Sequence, residues 1–438
     1  MKILLIQPPA KFMKTTYGPP LGLAYLASYA EKKGHTVKIV ESNILNYKLR
    51  HIKKEIKNFN PDIVGISATT QYIYEALSIA KISKKINPDC PTVLGGPHPT
   101  FRSREVLEKN PYVDIVVRGE GEETFVELLE NIGKNELRGV KGISFKIDGK
   151  VIENENRKLI EDIDGIPFPA YHLLSMDKYR TKKMDVCFYG EPGQRHGAVI
   201  TSRGCPFNCI FCTNTLLGGN KWRARSPENV VEEVKLLKDK YNRKIIEFVD
   251  STFTVDKKRA IRICQLIKEE GIDISLAVQT RVDFFDEDIA IALKKAGCVQ
   301  VVFGFESGVQ KTLDYLNKGF KLEDSERAVK IAKKAGFDPV GFFIVGVPGE
   351  TKDMIDETIA FAKKLDLRFT GFNLFTPYPG TRAYDFAKEN NLLLTEDWSK
   401  YRLFNLVMKI PGFSVRELKK IRKKADNEFN YRLFYPEK

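Results

Sequence analysis

Three cysteines that stand close together are the residues of this sequence best suited to chemistry. Cys205, Cys209 and Cys212 occupy positions i, i+4 and i+7 within residues 201–212. Soft thiolates select iron–sulfur clusters or zinc, and a loop with this spacing can wrap three of them around one cubic cluster. A closed zinc site needs a fourth ligand, and no Cys-x-x-Cys or His-x-x-x-His pair follows at zinc-like distance. Since three ligands leave one iron open, the segment predicts a catalytic 4Fe–4S cluster.

The chain has seven cysteines in all, and the remaining four are scattered. Cys90, Cys187, Cys264 and Cys298 each lie in or beside apolar sequence. A free cysteine in such a place is usually a small buried hydrophobe. We therefore expect neither a chemical role for these four nor a framework of disulfides.

The cysteine segment closely resembles the radical S-adenosylmethionine (SAM) superfamily. That family carries Cys-x-x-x-Cys-x-x-Cys with an aromatic residue before the last cysteine, which is Phe211 here, and the resemblance covers residues 190–390. It implies that the open iron binds the amino and carboxylate groups of SAM. It also implies that an electron, supplied by a donor such as ferredoxin or flavodoxin, breaks the sulfonium bond to give a 5′-deoxyadenosyl radical.

Four further residues, each near the end of a predicted strand, match segments with which this family contacts SAM. By that resemblance Asp250 meets the methionine amine, and Arg281 meets the carboxylate, for which its forked guanidinium is suited. Glu306 is expected at the ribose, and Gly346 lies on the strand whose backbone holds adenine. A salt bridge or a turn at the rim of a barrel is the alternative explanation for each of the four.

Unusual residues also follow the predicted strands near the N-terminus. They are Ser67, Thr69, Thr70, Gly95, Gly96, His98, Arg118, Gly119, Glu120 and Glu122. Glycines admit a ligand close to the backbone, and with small hydroxyl residues they suit a large flat or phosphate-bearing ligand. Turn formation alone could account for each of them singly.

This N-terminal part stands in front of a predicted barrel. With the residues just named, it resembles the cobalamin-binding branch of the radical SAM superfamily. The Asp-x-His-x-x-Gly sequence that supplies a histidine to cobalt in other cobalamin proteins is absent after Ile6. Cobalamin is therefore expected to bind without a histidine lower ligand from that position. The resemblance implies methylation of an unactivated carbon, in which the deoxyadenosyl radical removes a substrate hydrogen and the methyl group arrives through cobalamin from a second SAM.

Three other functions stay open at this point. The same two cofactors serve radical cyclases and rearrangement enzymes. The N-terminal domain could also lack cobalamin and serve only for substrate docking, and the chain could be a corrinoid or iron–sulfur sensor without turnover. The sequence does not name the substrate, which could be a small molecule or a protein.

The N-terminal part alternates short β-branched runs with amphipathic helical patterns. Strands are predicted at 2–7, 36–41, 62–67, 92–95 and 114–117, and helices at 21–33, 47–58, 71–86, 103–109 and 122–131. This order predicts a doubly wound parallel sheet of the flavodoxin-like, Rossmann type. Ligands of such sheets bind at the carboxyl ends of the strands.

The second half repeats a strand and a helix six times. Its strands are predicted at 196–202, 245–249, 274–278, 299–304, 340–345 and 371–375. We therefore expect an α/β chain with four parts: a cobalamin-binding-like domain at 1–139, a hairpin and linker at 140–190, a partial (β/α)6 TIM-type barrel at 191–390 and a C-terminal helical cap at 391–438. The active site of such a barrel lies at the carboxyl ends of its strands.

The composition is that of an ordinary globular protein, with 42% hydrophobic and 29% charged residues among 438. The formal charge is +14, but the basic residues are spread along the chain and form no patch interleaved with aromatics, so nucleic-acid binding is not favoured. The apolar runs are too short for a membrane span. No signal peptide is evident, so we expect a cytoplasmic protein.

Overall fold

The computed structural model describes residues 1–10, 18–134, 136–181 and 192–434. Cys187 lies outside this part of the chain. The described residues form two compact units. The first unit comprises Met1–Tyr179 with the short segments Leu217–Gly219 and Asp397–Ser399, and the second comprises the rest.

The first unit is built on a sheet that, in the described residues, has seven strands in the order β2-β1-β3-β4-β5-β6-β7. The strands are β1 (Lys2–Gln7), β2 (Thr36–Glu41), β3 (Ile63–Ser67), β4 (Thr92–Gly95), β5 (Ile115–Val117), β6 (Ile143–Ile147) and β7 (Lys150–Glu153). The first five run parallel, and the last two form an antiparallel hairpin beside β5. Strands covered on both faces need continuous apolar runs, as in β1, where Ile3, Leu4, Leu5 and Ile6 are at most 1% exposed.

Helices connect the parallel strands of this unit. They are α1 (Leu21–Lys32), α2 (Leu49–Phe59), α3 (Ile73–Ile86), α4 (Pro97–Phe101), α5 (Ser103–Lys109) and α6 (Glu122–Asn131). In α2, Ile52 and Ile56 are buried one turn apart while the charged residues face outward. Asn60 ends that helix in the left-handed conformation, with φ of 47°.

The second unit contains a parallel sheet of six strands, in the order β15-β14-β13-β12-β11-β8 as far as the structure describes the chain. These strands are β8 (His196–Val199), β11 (Ile245–Phe248), β12 (Ser275–Thr280), β13 (Cys298–Glu306), β14 (Val340–Val345) and β15 (Phe369–Leu374). A short antiparallel pair, β9 (Ser202–Arg203) and β10 (Arg223–Ala224), follows β8. In the described residues these six parallel strands alternate with helices, in agreement with the expected partial (β/α)6 architecture.

Helices again alternate with the strands. They are α7 (Asn214–Leu217), α8 (Pro227–Asp239), α9 (Lys257–Glu269), α10 (Glu287–Lys295), α11 (Gln310–Tyr315), α12 (Leu322–Lys334), α13 (Lys352–Leu365), α14 (Arg382–Glu389) and α15 (Val415–Phe434). Helix α15 lies against β15, where the amide of Phe372 donates to Asp426 at 3.0 Å. Every helix of the described residues is too short or too polar to span a membrane.

A line of phenylalanine rings forms the core of this sheet. The ring of Phe303 contacts that of Phe305 at 5.7 Å, and Phe343 lies 5.4 Å from both Phe305 and Phe372. All four are fully buried. Burial of such rings contributes a large share of the free energy of folding, and it fixes the strands whose ends carry the site residues.

The strand predictions agree closely with the structure, and the differences lie at strand ends. Strands β1, β2, β4 and β14 have the predicted bounds, whereas β13 extends two residues further, to Glu306. The hairpin β6–β7 extends the first sheet.

Candidate active site

The three clustered cysteines lie in an irregular loop between β9 and α7. Gly204, with φ of 79°, turns the chain into this loop. The amide of Cys212 donates to the carbonyl of Cys209 at 3.2 Å, which closes a turn between these two residues. Cys205 is buried, and Cys209 and Cys212 are half-buried. The loop therefore holds one buried thiol and two that are partly open to solvent.

Burial and nearby positive charges both act on the thiols of the cysteine loop. Burial raises the pKa of the Cys205 and Cys209 thiols, and the neighbouring positive charges of Arg281 and Lys318 oppose this rise. Cys209 interacts with both of the other thiols. Positive neighbours favour the thiolate form, which is the form that binds iron, so the donor set fits an iron–sulfur cluster. Among the described residues, no three His, Cys, Asp or Glu side chains form a site for a single metal ion.

Arg281, which follows β12, is brought directly against the cysteine loop. Its guanidinium carbon lies 3.7 Å from the ring centre of Phe207, between Cys205 and Cys209 in sequence. The same group donates to Asp283 at 3.0 and 2.9 Å and to the carbonyl of Lys318 at 2.5 Å. This bidentate anchoring fixes a permanent charge beside the thiols. The structure does not test its predicted contact with the carboxylate of SAM.

Glu306 ends β13 at a bulge and has a left-handed backbone, with φ of 65°. Its carboxylate accepts from the ammonium group of Lys318 at 3.0 Å, and both side chains are largely buried. A Cβ on Gly304 would lie 2.6 Å from Oε1 of Glu306, so a larger residue there would displace this carboxylate. Backbone strain of this kind is concentrated at functional sites. The predicted ribose contact of Glu306 stays a prediction.

Asp250 lies just after β11 and is buried. Its carboxylate contacts the residues that lead to the cysteines. It accepts from the amide and the hydroxyl of Thr201 at 3.3 and 3.0 Å and from the hydroxyl of Ser202. Burial raises the pKa of Asp250, while these bonds and the charge of Arg259 act to lower it. In this conformation the carboxylate fixes the start of the loop. Its predicted contact with the amine of SAM is not tested.

Gly346 follows β14 with φ of 77°. A Cβ at this position would lie 3.2 Å from Leu418 of α15. The amides of Gly346 and Val347 donate to Glu350 at 2.8 and 2.9 Å, and burial raises the pKa of Glu350 to about 7. The turn that follows the strand predicted to hold adenine is thus held in place by a buried carboxyl group.

In the first unit, Ser67 and Gly95 end neighbouring strands, and Gly96 follows directly. Gly96 has φ of 96°, and a Cβ on it would lie 2.8 Å from the carbonyl oxygen of Ala68. Ser67 is half-buried, while Thr69 is exposed. The structure thus places a hydroxyl-bearing and glycine-lined edge at the carboxyl end of this sheet. That edge fits the large cofactor expected from the sequence.

His98 lies beneath this edge and is almost completely buried. Its Nδ1 is 3.3 Å from the hydroxyl of Thr70, and its ring makes an edge contact with Trp398 at 5.1 Å, both within the first unit. Burial lowers the pKa of His98 to about 4. The imidazole is therefore neutral at physiological pH.

The predicted residues after β5 form hydrogen bonds to other parts of the chain. Arg118 donates to the carbonyls of Ile143 and Asn154, and Glu120 accepts from the amide of Ile160 at 2.9 Å. The amide of Gly119 donates to Thr100 at 3.1 Å, and Glu122, which is buried, begins α6. These contacts give the residues after β5 a structural role, and their contact with cobalamin is untested.

Sequence reasoning missed several residues that complete these sites. Lys318 was not singled out because a buried lysine has no sequence signal and its partner Glu306 lies twelve positions earlier. Thr201 and Ser202, whose hydroxyls donate to Asp250, lie a few positions before Cys205, and these hydroxyls were the available signal.

Two family models match this chain. The radical SAM superfamily model matches residues 199–362, and the B12 binding domain model matches residues 15–129. An uncharacterized methyltransferase of Pyrococcus horikoshii is 46% identical over 99% of this chain and 93% of its own length. The chain belongs to the radical SAM superfamily. It is an enzyme of the branch that carries a B12-binding domain.

Other proteins similar to this radical SAM enzyme differ in their named reactions. An anaerobic magnesium-protoporphyrin IX monomethyl ester cyclase of Rubrivivax gelatinosus is 31% identical over 91% of the chain and 71% of its own length. The solved structure of a radical SAM methyltransferase from Kitasatospora setae, with cobalamin and a 4Fe–4S cluster bound, aligns with a TM-score of 0.77. It is 18% identical over 97% of this chain and 90% of that one. At this identity the likeness confirms the fold, with its two parallel sheets.

Proposed function

We propose that this radical SAM enzyme is a cobalamin-dependent methyltransferase that methylates an unactivated carbon of its substrate. The observation that carries the proposal is the cysteine loop, where Cys205 and Cys209 lie near the positive charges of Arg281 and Lys318. When bound there, a 4Fe–4S cluster supplies the electron that cleaves SAM to a 5′-deoxyadenosyl radical. The B12-binding domain and the methyltransferase relative support transfer of a methyl group to carbon.

The residues of the chain have distinct tasks in this proposal. The three thiolates hold the cluster, while Arg281 and Lys318 offset its negative charge. Asp283 and Glu306 keep these two cations in place through bonds of 2.9 to 3.0 Å. Neutralising charge inside a partly buried site favours binding of an anionic group there.

SAM itself is expected at the carboxyl edge of the second sheet. Glu306 and Gly346 lie at ends of adjacent strands of that sheet, β13 and β14. Both have positive φ, which turns the backbone sharply at the point where the strand leaves the sheet. We propose that SAM binds across these strand ends, with Asp250 and Arg281 on the neighbouring strands.

In the first unit, Ser67, Thr69, Gly95, Gly96 and Gly119 offer backbone and hydroxyl groups to cobalamin. His98 is neutral and held by Thr70 and Trp398. We expect cobalamin to bind there without a histidine lower ligand from an Asp-x-His-x-x-Gly sequence.

A radical cyclase is the second candidate function. It is favoured by one observation, the 31% identity to the magnesium-protoporphyrin IX monomethyl ester cyclase over 91% of the chain. The two candidates share the cluster and SAM and differ in whether a methyl group reaches the substrate.

The first test is anaerobic reconstitution of the cluster with added hydroxocobalamin, followed by mass spectrometry. Bound cobalamin together with 5′-deoxyadenosine after dithionite reduction would support the proposal. Deoxyadenosine without cobalamin would exclude methylation through cobalamin. Neither signal, with the cluster intact, would favour a sensor.

Two cysteine variants sharpen this test. Cys209→Ser should lose the cluster absorbance and all deoxyadenosine. Cys264→Ala is the matched control. Cys264 is a buried residue of α9, far from the loop in sequence, and it has no predicted ligand role. It should keep both signals, and equal loss in the two variants would contradict the assignment of the cluster.

A further inference from the structure

The two faces of the second sheet differ in how far solvent reaches them. On one face the side chains are fully buried, among them the phenylalanine rings of its core. Side chains one position away along the same strands, on the other face, are half-buried or exposed. We call this the open face, and it includes Glu247, Gln279, Val302, Phe342 and Asn373. Parallel sheets are normally covered on both faces, so an open face of this kind favours a bound molecule.

The strand register brings polar side chains of the open face together. Glu247 of β11 pairs with Ala277 of β12, and Gln279 lies two positions further along β12, on the same face. The side-chain amide of Gln279 donates to Oε1 of Glu247 at 3.3 Å. Nε2 of the buried His196 lies 3.7 Å from Oε2 of Glu247, beyond hydrogen-bond distance. A carboxylate can accept about four hydrogen bonds, so Glu247, whose side chain is 15% exposed, keeps acceptor positions for a ligand.

A buried amide on the same face also points to a ligand. Gln300 of β13 pairs with Ala277, the partner of Glu247, so the three residues form one row across the sheet. Glu247 and Gln300 are two strands apart in this row, which is roughly 10 Å. Gln300 is 1% exposed, and neither polar atom of its side chain has a hydrogen-bond partner in the part of the chain that the structure describes. A buried amide without a partner destabilises the fold, and a polar molecule on this face would supply the missing hydrogen bond.

The charge of the open face selects the ligand. The described strand residues that share this face include Glu247 and no lysine or arginine. One cation, Lys318, lies at the strand end, 3.6 Å from the place of a Cβ on Gly304, but Glu306 pairs with it at 3.0 Å. The net charge of +14 has little effect at this depth, because exposed charges more than about 8 Å away are largely screened. A positively charged group is therefore favoured beside Glu247, and an anionic group is disfavoured.

The open face lies below the strand ends at which SAM is expected. Asp250 follows Glu247 by three positions, and Arg281 follows Gln279 by two. At a rise of about 3.3 Å per residue, these separations along the strands are roughly 7–10 Å. A molecule of a few carbon atoms spans this distance, so a ligand held at Glu247 reaches the SAM site with its other end.

We propose that the open face is the substrate site of the proposed reaction and that the substrate carries an ammonium or guanidinium group, which binds Glu247. This inference rests on the proposed function and adds the chemical class of the substrate. Gln279 and Gln300 form the rest of the polar part of the site, while Val302 and Phe342 offer apolar surface to the carbon part of the substrate. These residues bind and orient the substrate and take no part in the radical chemistry.

Three probes of similar size test the charge preference: benzylamine, benzyl alcohol and benzoate. Their Kd values are measured by calorimetric titration of the reconstituted holoenzyme with SAM and without reductant, so that no turnover occurs. Benzylamine should bind the wild type at least about tenfold more tightly than benzoate, the factor expected for a hydrogen bond to a charged group. The neutral alcohol should lie between the two.

Two variants remove the free negative charge in different ways. Glu247→Gln should raise the Kd of benzylamine about tenfold and leave that of benzyl alcohol nearly unchanged. Gln279→Lys keeps Glu247 but places an ammonium group beside it, and it should abolish the preference for benzylamine as well. Because Gln279 is exposed, this second variant is expected to fold even where Glu247→Gln does not.

Each variant has a matched control. Glu232→Gln removes the same charge from an exposed position of α8, the helix that precedes β11. Gln279→Met replaces the same side chain with a neutral one of similar length. Both controls should bind the three probes like the wild type.

Several results would overturn the inference. They are equal or tighter binding of benzoate by the wild type, no detectable binding of benzylamine, and an unchanged Kd of benzylamine in both Glu247→Gln and Gln279→Lys. Deoxyadenosine formation after dithionite reduction is measured on the same preparations. Its absence in the wild type with the cluster intact would refute the proposed function, whereas the probe titrations concern the substrate site alone.

Discussion

Replacing Gly96 with alanine tests whether the carboxyl edge of the N-terminal sheet has the geometry described above. Gly96 has φ of 96° and ψ of −177°, a region that is open essentially to glycine alone and costs other residues about 1–3 kcal/mol. The added Cβ would also lie 2.8 Å from the carbonyl oxygen of Ala68 and 3.2 Å from the hydroxyl of Ser67. Overpacking of this kind costs about 1–3 kcal/mol.

A matched control separates the strain from the overlap. Gly34 also has a positive φ, of 80°, but a Cβ there would meet no atom within 4 Å. Gly34→Ala should therefore lower the free energy of unfolding by about 1 kcal/mol, and Gly96→Ala by about 3 kcal/mol. For a unit of this size these values correspond to Tm decreases of about 2–4 °C and about 6–12 °C.

Calorimetry of the two variants under anaerobic conditions measures the difference between their Tm values. Absorbance titration with hydroxocobalamin measures cobalamin binding. Gly96→Ala should also weaken cobalamin binding, because the overlap has to be relieved by moving the end of β3 or β4. An equal Tm decrease in the two variants would refute the close approach of Gly96 to Ala68.

Three further predictions concern buried groups. Glu350 has an ordinary pKa of 4.5 and one of about 7 in the fold, so its stabilising contribution is complete below pH 4.5 and is lost as pH rises through 7. The free energy of unfolding should fall by about 3 kcal/mol for this reason. Urea unfolding at pH 5 and pH 8 should show this decrease in the wild type and not in Glu350→Gln. His98, whose pKa falls from 6.5 to about 4, stabilises the fold above pH 6.5, and this contribution is lost as pH falls toward 4. His98→Gln should accordingly lose less stability than the wild type between pH 7 and pH 4.5, and equal losses would contradict the burial of a neutral imidazole. Trp398→Ala should cost about 3–5 kcal/mol because Trp398 is only 5% exposed, whereas Trp398→Phe should keep most of that stability in the same urea titration.

Local sequence was sufficient for most of the secondary structure. The apolar runs of β1, β2, β4 and β14 are flanked by glycine, proline or asparagine, so their bounds could be predicted to the residue. Boundaries were less certain where a strand ends in a bulge, as at Glu306, because a bulge depends on its neighbouring strand.

The cysteine motif was equally accessible, because three ligands within eight positions lie on one loop whatever the surrounding fold. The predicted SAM residues were assigned to strand ends by the same alternation of strand and helix. Their hydrogen-bond partners were not accessible, since Arg281 reaches the carbonyl of Lys318 and Asp250 reaches Thr201 across gaps of 37 and 49 residues.

The sequence by itself determined the order of strands and helices, the three thiols and the alternation of two parallel α/β units, because these depend on hydrophobic periodicity and on spacing within a few residues. Only the tertiary structure decided which charges lie near the thiols, which carboxyl groups are buried and which side chain packs against His98. Trp398 is 300 positions from His98, and its contact at 5.1 Å exists only once the chain has folded back on its first unit. Burial and long-range pairing are properties of the packed chain, and they set the pKa values and positions on which the chemistry depends.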